Sequence, residues 1–353
     1  MKKSDKRKVL YVVEDETSAQ FRYRVKNVAE ALEGSKWEAE WVLRGKLDGA
    51  DLSKFDLIVI LRQTDKDGEI GRFIEKIRGM GKKVLFDLDD LIFDYRDLPV
   101  LMQATNSKNV FYWAGYFWGV RRIAKRVDGF LCTNDFLGKK LGRSFKRPYR
   151  VISNSLNREQ VEVSEKLLSK KKHSNFVVGY FSGSPTHTKD FRLVEPELVR
   201  FLENHEDVML RVVGDMEFSR EMQGWIEKGR VEVVDKVDYL KLQELMVGVD
   251  VNIAPLLVND FTNCKSELKF FEAAAVETTT VASPTYAFER AITDGKNGYL
   301  AQPGEWYDKL EYLCNNPKKN HEVALVAKKY ALENYYGEKF LKEVEAAYDG
   351  FIK

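Results

Sequence analysis

The amino-acid sequence predicts an α/β protein made of two tandem doubly wound domains, each built on a parallel sheet. Short apolar runs alternate with helical patterns of about 10–15 residues, which is typical of right-handed βαβ units. At 353 residues the chain is too long for one ordinary core, and its hydrophobic fraction of 44% is sufficient for two. We therefore expect two Rossmann-like domains, with ligands bound at the carboxyl edges of their sheets, in a cleft that the two domains face.

The first predicted domain spans residues 1–155. The apolar runs that predict its strands are residues 8–13, 55–61, 82–88 and 129–134. Helical spacing of apolar residues follows the second of these runs, at Ile70, Phe73, Ile74 and Ile77. Strands and helices thus alternate throughout this half.

The second predicted domain spans residues 156–335. Its strand-like runs are residues 175–183, 208–215, 231–237, 249–256 and 278–284. The lysine-rich stretch 164–175 is typical of a loop, and the chain from about residue 303 onward has helical patterns.

Charge and cysteine content exclude several classes of protein. Lysine and arginine number 57 against 55 acids, so the net charge of +2 provides no bulk attraction to nucleic acid. Three cysteines, which are widely spaced, match neither a disulfide framework nor a metal-ligand pattern. No apolar run is long enough for a signal or a membrane span. We expect a cytoplasmic protein that binds no nucleic acid.

Two lysines stand at the predicted start of a helix within residues 261–284. Ser266 is a natural N-cap, with Lys265 before it and Lys269 in the first turn. Cations oppose the helix dipole there, whereas the free backbone N–H groups favour an anion. Glu272 lies on the face of Lys269 and could accept hydrogen bonds from a ribose. The alternative is that both lysines are solvated surface charges.

Small residues between a predicted strand and helix, at 179–191, form a second candidate site. Ser182, Gly183 and Ser184 would let the backbone approach a phosphate, and Lys189 would supply charge. The stretch matches neither a Walker loop nor the Rossmann glycine pattern. An ordinary strand-to-helix turn is the alternative.

Two arginines, Arg22 and Arg24, lie at the front of the first predicted helix, where the helix dipole disfavours cations. An acidic or phosphorylated acceptor would explain their position. Pairing with the acids of residues 14–16 would explain it equally well.

Four carboxylates crowd "FDLDDLIFD", residues 86–94, at the end of a predicted strand. Phosphatases of the haloacid-dehalogenase type begin with a similar Asp-x-Asp, in which Asp87 would be the nucleophile and Asp89 the acid/base, with Mg²⁺. Leu91 stands where such phosphatases have threonine or valine. We expect Asp87 to be structural, Asp89 and Asp90 to face a ligand, and part of the cluster to cap the following turn.

Residues 110–126, "VFYWAGYFWGVRRIAKR", are first aromatic and then basic. Such a segment can dock on a lipid-linked acceptor or a membrane interface. Because apolar residues occur nearly all round the helical wheel, a buried helix with a basic end is the interpretation we prefer.

The motifs together resemble GT-B glycosyltransferases, in particular family 4. The resemblance rests on "NIAPLLVNDFTNCKSELKFFEAAAVETTTVASP" (252–284) and "AITDGKNGYLAQPGEW" (291–306). "GYFSGSPTHTKDF", "FRYRVKNVAEAL" and "VLFDLDDLIFD" are similar to a bacterial subgroup that builds surface polysaccharides and includes rhamnosyltransferases. The resemblance to GT-B glycosyltransferases covers most of the chain and is tightest over residues 176–306.

This resemblance implies transfer of a sugar from a UDP-, dTDP- or GDP-linked donor to a hydroxyl of a glycan or lipid-linked acceptor. The second domain would bind the donor, and the first would bind the acceptor through Arg22 and Arg24. The last helix, about 336–353, would pack back on the first domain. The resemblance assigns the donor diphosphate to Ser182, Gly183, Ser184, Lys189, Lys265, Ser266 and Lys269, the ribose to Glu272, and the base to Val237, Asp238 and Tyr239. With a lipid-linked acceptor, peripheral contact at the inner face of the membrane is also expected.

One departure affects the predicted mechanism. The family has a glutamate eight residues before Glu272, where this chain has Cys264. We expect a retaining enzyme that needs no metal or other cofactor, because lysines and a helix N-terminus can stabilise the leaving diphosphate. If the enzyme inverts, Asp89 or Asp90 would be the catalytic base. A sugar-nucleotide-binding scaffold without activity is a further alternative.

Overall fold

The computed structural model describes residues 6–105, 107, 109–169, 175–182 and 188–352. The chain divides into two compact units. Unit 1 comprises Met1–Asn157, Asn263–Ser266 and Tyr335–Lys353, and unit 2 comprises Arg158–Thr262 and Glu267–Asn334. A four-residue piece from the middle of the second half thus belongs to unit 1.

Unit 1 contains a six-stranded, fully parallel sheet in the order β2-β1-β3-β4-β5-β6. Its strands are β1 (Arg7–Val13), β2 (Trp37–Leu43), β3 (Leu57–Leu61), β4 (Lys83–Leu88), β5 (Gly129–Cys132) and β6 (Tyr149–Val151). Its helices up to residue 145 are α1 (Ala19–Phe21), α2 (Asn27–Ala31), α3 (Glu69–Gly79), α4 (Leu98–Ala104), α5 (Val110–Ala124) and α6 (Asp135–Phe145). Because the strand order reverses beside β1, the loops after β1 and β3 lie at the switch point where such sheets bind ligands.

Unit 2 contains a second six-stranded parallel sheet, in the order β12-β11-β10-β7-β8-β9. Its strands are β7 (Phe176–Phe181), β8 (Val208–Val213), β9 (Val231–Val234), β10 (Val251–Ala254), β11 (Thr279–Ala282) and β12 (Tyr299–Leu300). The helices from residue 158 onward are α7 (Arg158–Leu168), α8 (Thr188–Arg192), α9 (Glu195–Asn204), α10 (Arg220–Glu227), α11 (Tyr239–Met246), α12 (Asp260–Asn263), α13 (Leu268–Ala275), α14 (Tyr286–Ala291), α15 (Trp306–Asn315), α16 (Pro317–Tyr335) and α17 (Gly337–Asp349). The predicted pair of doubly wound parallel sheets is confirmed.

The core of unit 1 forms where β1, β3 and β4 pack against helices. The central strands β1 and β3 are almost entirely buried, and so is the predicted apolar face of α3, with Ile70, Phe73, Ile74 and Ile77. Helix α17 contributes Phe340, Val344 and Tyr348 to the same core. The Tyr348 hydroxyl lies 2.5 Å from that of Tyr11 on β1.

Three strands were not predicted, and one predicted loop is partly wrong. β2, β6 and β12 lie at sheet edges. Two of them are only three and two residues long, and β2 alternates charged and apolar residues. "FDLDDLIFD" consequently begins on the fourth strand, not the third. The predicted loop 164–175 is helical up to Leu168, where α7 ends. Within the described ranges, no helix is both long and apolar enough to span a lipid bilayer.

Candidate functional site

Arg24 and Asp87 form a buried ion pair in unit 1. Arg24 lies in a π-helical stretch, Arg22–Lys26, and its Nε and Nη2 donate to Asp87 Oδ1 at 3.1 and 3.0 Å. Both side chains are only 1% exposed, and Nη1 also donates to the carbonyl of Ile152. Direct contact between Arg24 and an acceptor, as predicted, is therefore contradicted, because Asp87 rather than a ligand satisfies the guanidinium.

The neighbouring Arg22 is less buried than Arg24. It is partly exposed, and its guanidinium carbon lies 4.0 Å from the centroid of the Tyr23 ring. Its predicted acceptor contact stays a prediction.

The position of Asp87 argues against the phosphatase alternative. Burial opposes the charge of Arg24, yet the Asp87 carboxylate raises the pKa of that guanidinium. A carboxylate that is enclosed with an arginine cannot reach a phosphate ester, so the nucleophile role of Asp87 is wrong and the structural role is confirmed. The hydroxyl of Thr133, just after β5, donates to the carbonyl of Cys264 at 3.4 Å. Among the residues that the structure describes, no three His, Cys, Asp or Glu side chains converge as metal ligands would.

Asp89 and Asp90, just beyond β4, share one arginine. Arg62 Nη1 donates to Asp89 Oδ1 at 3.0 Å and to Asp90 Oδ2 at 3.1 Å, and all three side chains are 18% exposed. Burial opposes the charge of Arg62, but the two carboxylates raise its pKa overall. Arg62 has a φ of 27°, which is unusual for a residue with a side chain. The structure thus joins the two predicted catalytic residues, and sequence reasoning missed the arginine that joins them.

The last carboxylate of "FDLDDLIFD", Asp94, caps the turn that follows. It accepts from the backbone N–H of Arg96 at 3.1 Å and from the guanidinium Nη2 of the same residue at 2.6 Å. The Arg96 side chain is the largest influence on the Asp94 carboxyl and, with the Ser144 hydroxyl and the backbone bond, lowers its pKa to about 2. The predicted capping role of part of this cluster is confirmed.

Two asparagines of unit 1 hold the segment Asn263–Ser266. Asn134 Nδ2 donates to the carbonyls of Asn263 and Lys265 at 3.1 and 3.0 Å. Asn154 Nδ2 donates to Ser266 Oγ at 2.9 Å. Predicted diphosphate ligands are therefore fixed by residues at the ends of β5 and β6.

Lys265 lies beside one of the predicted catalytic carboxylates. Its Nζ is 3.9 Å from Asp90 Oδ1, and its side chain is 30% exposed. Cys264, which replaces the family glutamate, is fully buried, so its thiol is enclosed rather than presented to a sugar. Asp90, one of the two predicted catalytic carboxylates, thus lies next to Lys265, a predicted phosphate ligand, within unit 1.

Helix α13 begins later than the sequence predicts. Glu267, not Ser266, occupies the N-cap position, and its side chain makes no capping hydrogen bond. The predicted cap is wrong because the Ser266 hydroxyl accepts from Asn154 instead. Lys269 lies in the first turn as predicted, with its Nζ 4.6 Å from the centroid of the Tyr180 ring.

Glu272 on α13 is 2% exposed and has an amide partner in unit 2. Gln160 Nε2 of α7 donates to Glu272 Oε1 at 3.3 Å, and Gln160 itself is fully buried. The amide orients the carboxylate predicted to bind ribose. Sequence reasoning missed Gln160, because an isolated glutamine on a helix carries no recognisable signal.

The loop after β7 is described only in part. Ser182 is 6% exposed, and its N–H donates to the carbonyl of Val213 at 2.8 Å, whereas the predicted ligands Gly183 and Ser184 lie outside the described residues. Gly214 has a φ of 109°, and a Cβ there would lie 2.4 Å from the Ser182 carbonyl oxygen. Only glycine permits this close approach at the ends of β7 and β8. Lys189 is exposed on α8.

The predicted base-binding residues lie at the start of α11. Asp238 is its N-cap and accepts from Leu240 N at 2.9 Å and Lys241 N at 3.0 Å. The Lys241 backbone bond is the largest cause that lowers the pKa of the Asp238 carboxyl. Tyr239 donates its hydroxyl to Glu159 at 2.6 Å, and Val237 packs against the core. Their base-binding role stays a prediction.

Comparison with known protein families finds a similarity in the second half of the chain. Residues 176–316, which include the whole sheet of unit 2, match the family described as "Glycosyl transferases group 1". This part of the chain is therefore similar to group 1 glycosyltransferases. No curated protein sequence matches the chain significantly.

Solved structures share the fold over nearly the whole chain. HepE from Anabaena, crystallised with UDP-glucose, has a TM-score of 0.66 at 16% identity, covering 98% of this chain and 100% of its own. Sucrose-phosphate synthase from Thermosynechococcus elongatus has a TM-score of 0.68 at 14% identity, with 98% and 99% covered. A glycosyltransferase from Rickettsia africae has a TM-score of 0.69 at 13% identity, with 99% of both chains covered. The fold is thus the predicted GT-B fold, whereas the resemblance to the rhamnosyltransferase subgroup stays a prediction.

Proposed function

We propose that the protein transfers a hexosyl or deoxyhexosyl group from a nucleotide-diphosphate sugar to a hydroxyl of a glycan or lipid-linked acceptor, in the synthesis of a bacterial surface polysaccharide. The observation that carries this proposal is the match of residues 176–316 to group 1 glycosyltransferases. HepE, which is similar over the whole chain and was crystallised with UDP-glucose, supports a UDP-sugar as the first donor to test.

On the donor side, charge and helix geometry fit a diphosphate without a metal ion. Lys269 stands in the first turn of α13, whose N-cap side chain makes no capping hydrogen bond. Backbone N–H groups at a helix N-terminus and a nearby ammonium group can stabilise the charge that develops on a leaving diphosphate. Lys189 and Lys265 would add to this charge, and Glu272 would accept hydrogen bonds from the ribose.

On the acceptor side, we propose that Asp89 and Asp90 bind the hydroxyl that receives the sugar. Carboxylates accept hydrogen bonds, and the shared Arg62 holds both in one orientation. If the enzyme retains configuration, as we expect, the leaving phosphate takes the acceptor proton. If it inverts, one of these carboxylates must take that proton.

Thermal stabilisation and nucleoside diphosphate release, measured with UDP-, dTDP- and GDP-sugars, test the proposal. We expect stabilisation by one nucleotide class, and turnover that persists in EDTA. Lys269→Ala and Glu272→Gln should abolish the stabilisation, whereas Lys241→Ala, which removes an exposed lysine paired with Glu244, should not.

Each other outcome contradicts a different part of the proposal. If Lys269→Ala and Glu272→Gln bind donor like the wild type, the donor site is wrong. Loss of turnover in EDTA would contradict metal independence. Donor binding without turnover across a panel of glycan and lipid-linked acceptors would favour a scaffold.

A further inference from the structure

Helix α5 presents aromatic side chains to solvent. Phe111 is 91% exposed, Tyr112 51% and Trp118 48%. The opposite face, which includes Phe117, Val120 and Ile123, is buried in unit 1. The preferred expectation of a buried helix is therefore wrong for one face, and that face keeps large apolar side chains in water.

The exposed face changes from aromatic to basic along the helix. At helical spacing, Phe111, Gly115, Trp118, Arg122 and Lys125 lie along one stripe. The Arg122 guanidinium carbon lies 4.7 Å from the centroid of the Trp118 ring, so that cation and ring occupy one surface. We call this stripe the α5 face.

The charge around the α5 face is mainly positive, although Arg122 Nε lies 3.5 Å from the buried carboxylate of Asp65. Residues 98–127 contain five basic residues and no acid, in a chain whose total charge is only +2. Lys66, from the loop after β3, adds a cation 5.9 Å from the centroid of the Tyr112 ring. A local excess of cations in a nearly neutral protein favours an anionic partner at this surface.

We propose that the α5 face docks the protein on an anionic lipid bilayer, with Phe111 and Trp118 entering the interface and Lys66 and Lys125 contacting lipid phosphates. Trp, Tyr and Phe side chains favour the membrane–water interface, and flanking Lys and Arg side chains are attracted to anionic headgroups. This combination distinguishes a bilayer from a free phosphate, which would use the cations but not the rings. The purpose of docking, access to a lipid-linked acceptor, rests on the proposed function, whereas the docking itself does not.

Co-sedimentation with vesicles tests the proposal without any sugar donor. The wild-type protein should bind phosphatidylcholine vesicles that contain about a third of phosphatidylglycerol more tightly than pure phosphatidylcholine, and salt should weaken the binding. The double variant Phe111→Ser/Trp118→Gln should lower the partition coefficient by about ten-fold or more. Lys125→Gln should lower it by about five-fold.

A matched control removes exposed apolar residues from unit 2. Tyr312 and Leu325 are 46% and 44% exposed, and Tyr312→Ser/Leu325→Ser should bind vesicles like the wild type. Unchanged circular dichroism and thermal unfolding would show that each variant folds.

Three outcomes would overturn the proposal. The wild type could fail to bind anionic vesicles, or the Phe111→Ser/Trp118→Gln variant could bind them equally well. In the third, light scattering would show a dimer that this variant dissociates, without vesicle binding, and the α5 face would be a contact between copies. Because no donor is used, none of these results bears on whether unit 2 binds a nucleotide sugar.

Discussion

Two buried carboxylates, Asp87 in unit 1 and Glu272 in unit 2, differ in the side chains that donate to them. In unit 1, Asp87 is paired with Arg24, and Asp89 and Asp90 are joined by Arg62. In unit 2, the hydrogen bond shown for Glu272 comes from the neutral amide of Gln160. Asp87 thus accepts from a cation, whereas Glu272 accepts from an amide. Position at a strand end or helix start therefore does not distinguish a structural charge from a ligand-binding one.

The largest predicted effect comes from breaking the buried ion pair between Arg24 and Asp87. Arg24→Leu leaves the buried Asp87 carboxylate without its cation, so we expect unit 1 to lose about 3–5 kcal/mol of stability. Arg22→Leu, at the partly exposed neighbour, is the matched control and should cost less than about 1 kcal/mol. Urea unfolding of both variants measures the difference.

A double variant checks that the loss comes from the uncompensated charge. Arg24→Leu/Asp87→Leu removes both charges and should recover part of the stability, although the Ile152 carbonyl still loses its donor. If the double variant is less stable than Arg24→Leu alone, the pair is not the source of the effect.

A smaller loss is expected at the second arginine of unit 1. Arg62→Gln should destabilise the protein by about 2 kcal/mol, less than Arg24→Leu because the Arg62 pairs are 18% exposed and partly solvated. It should also lower turnover, since Asp89 and Asp90 lose the group that orients them. Arg62→Gly, which also removes the cation but relieves the positive φ, should be as stable as Arg62→Gln or more so.

Turnover decides whether Arg62 acts through the carboxylates. We expect Arg62→Gln to lower kcat, with little change in the KM for the sugar donor. An unchanged kcat would show that the Arg62 cluster is structural only, like the Arg24 pair.

The carboxylate of Asp94 in unit 1 predicts a loss of stability in acid. The pKa of Asp94 is lowered to about 2 by the Arg96 side chain, by the backbone bond and by Ser144. A depressed folded-state pKa stabilises the protein above the unfolded value near 4, and this contribution is lost as the pH falls toward 2. Up to about 2 kcal/mol is expected.

Asp94→Asn isolates that contribution, because asparagine can still cap the turn. The free energy of unfolding, measured between pH 5 and pH 2, should fall less steeply for the variant than for the wild type. Parallel pH dependences would contradict the assigned cause.

The sequence predicted the buried parts of the fold and missed what depends on tertiary partners. The apolar run 57–61 is short and rich in β-branched residues, which favours a buried strand, and the helical spacing at Ile70 and Ile77 predicts one buried face. The edge strand β2, "WEAEWVL", carries acids and was missed, because one side of an edge meets solvent.

Candidate site residues show the same limit. Lys269 and Glu272 were found because a helix start and helical spacing place them together. The partner of Arg24 could not be found, because Asp87 lies 63 positions away and only the fold brings them together. Ser266 was assigned as a cap on local rules, but a distant asparagine, Asn154, takes its hydroxyl.

The smallest predicted effect concerns the hydrogen bond from the Gln160 amide to Glu272. Gln160→Leu removes the donor to Glu272 and should weaken nucleotide-sugar binding by about ten-fold, because the carboxylate loses the bond that orients it for ribose. Ser164→Ala, one turn further along α7, removes the hydroxyl that donates to Gln243 at 3.2 Å and leaves Glu272 untouched. Both variants should lose about 1 kcal/mol of stability, so stability cannot separate them.

Donor affinity, measured by calorimetry, separates the two variants. Weaker binding for Gln160→Leu with normal binding for Ser164→Ala would show that the amide acts through Glu272. Equal weakening would indicate a general loosening of α7 instead. If Glu272→Gln itself binds donor normally, the ribose site is wrong, and Gln160 and Glu272 form a structural pair, as Arg24 and Asp87 do in unit 1.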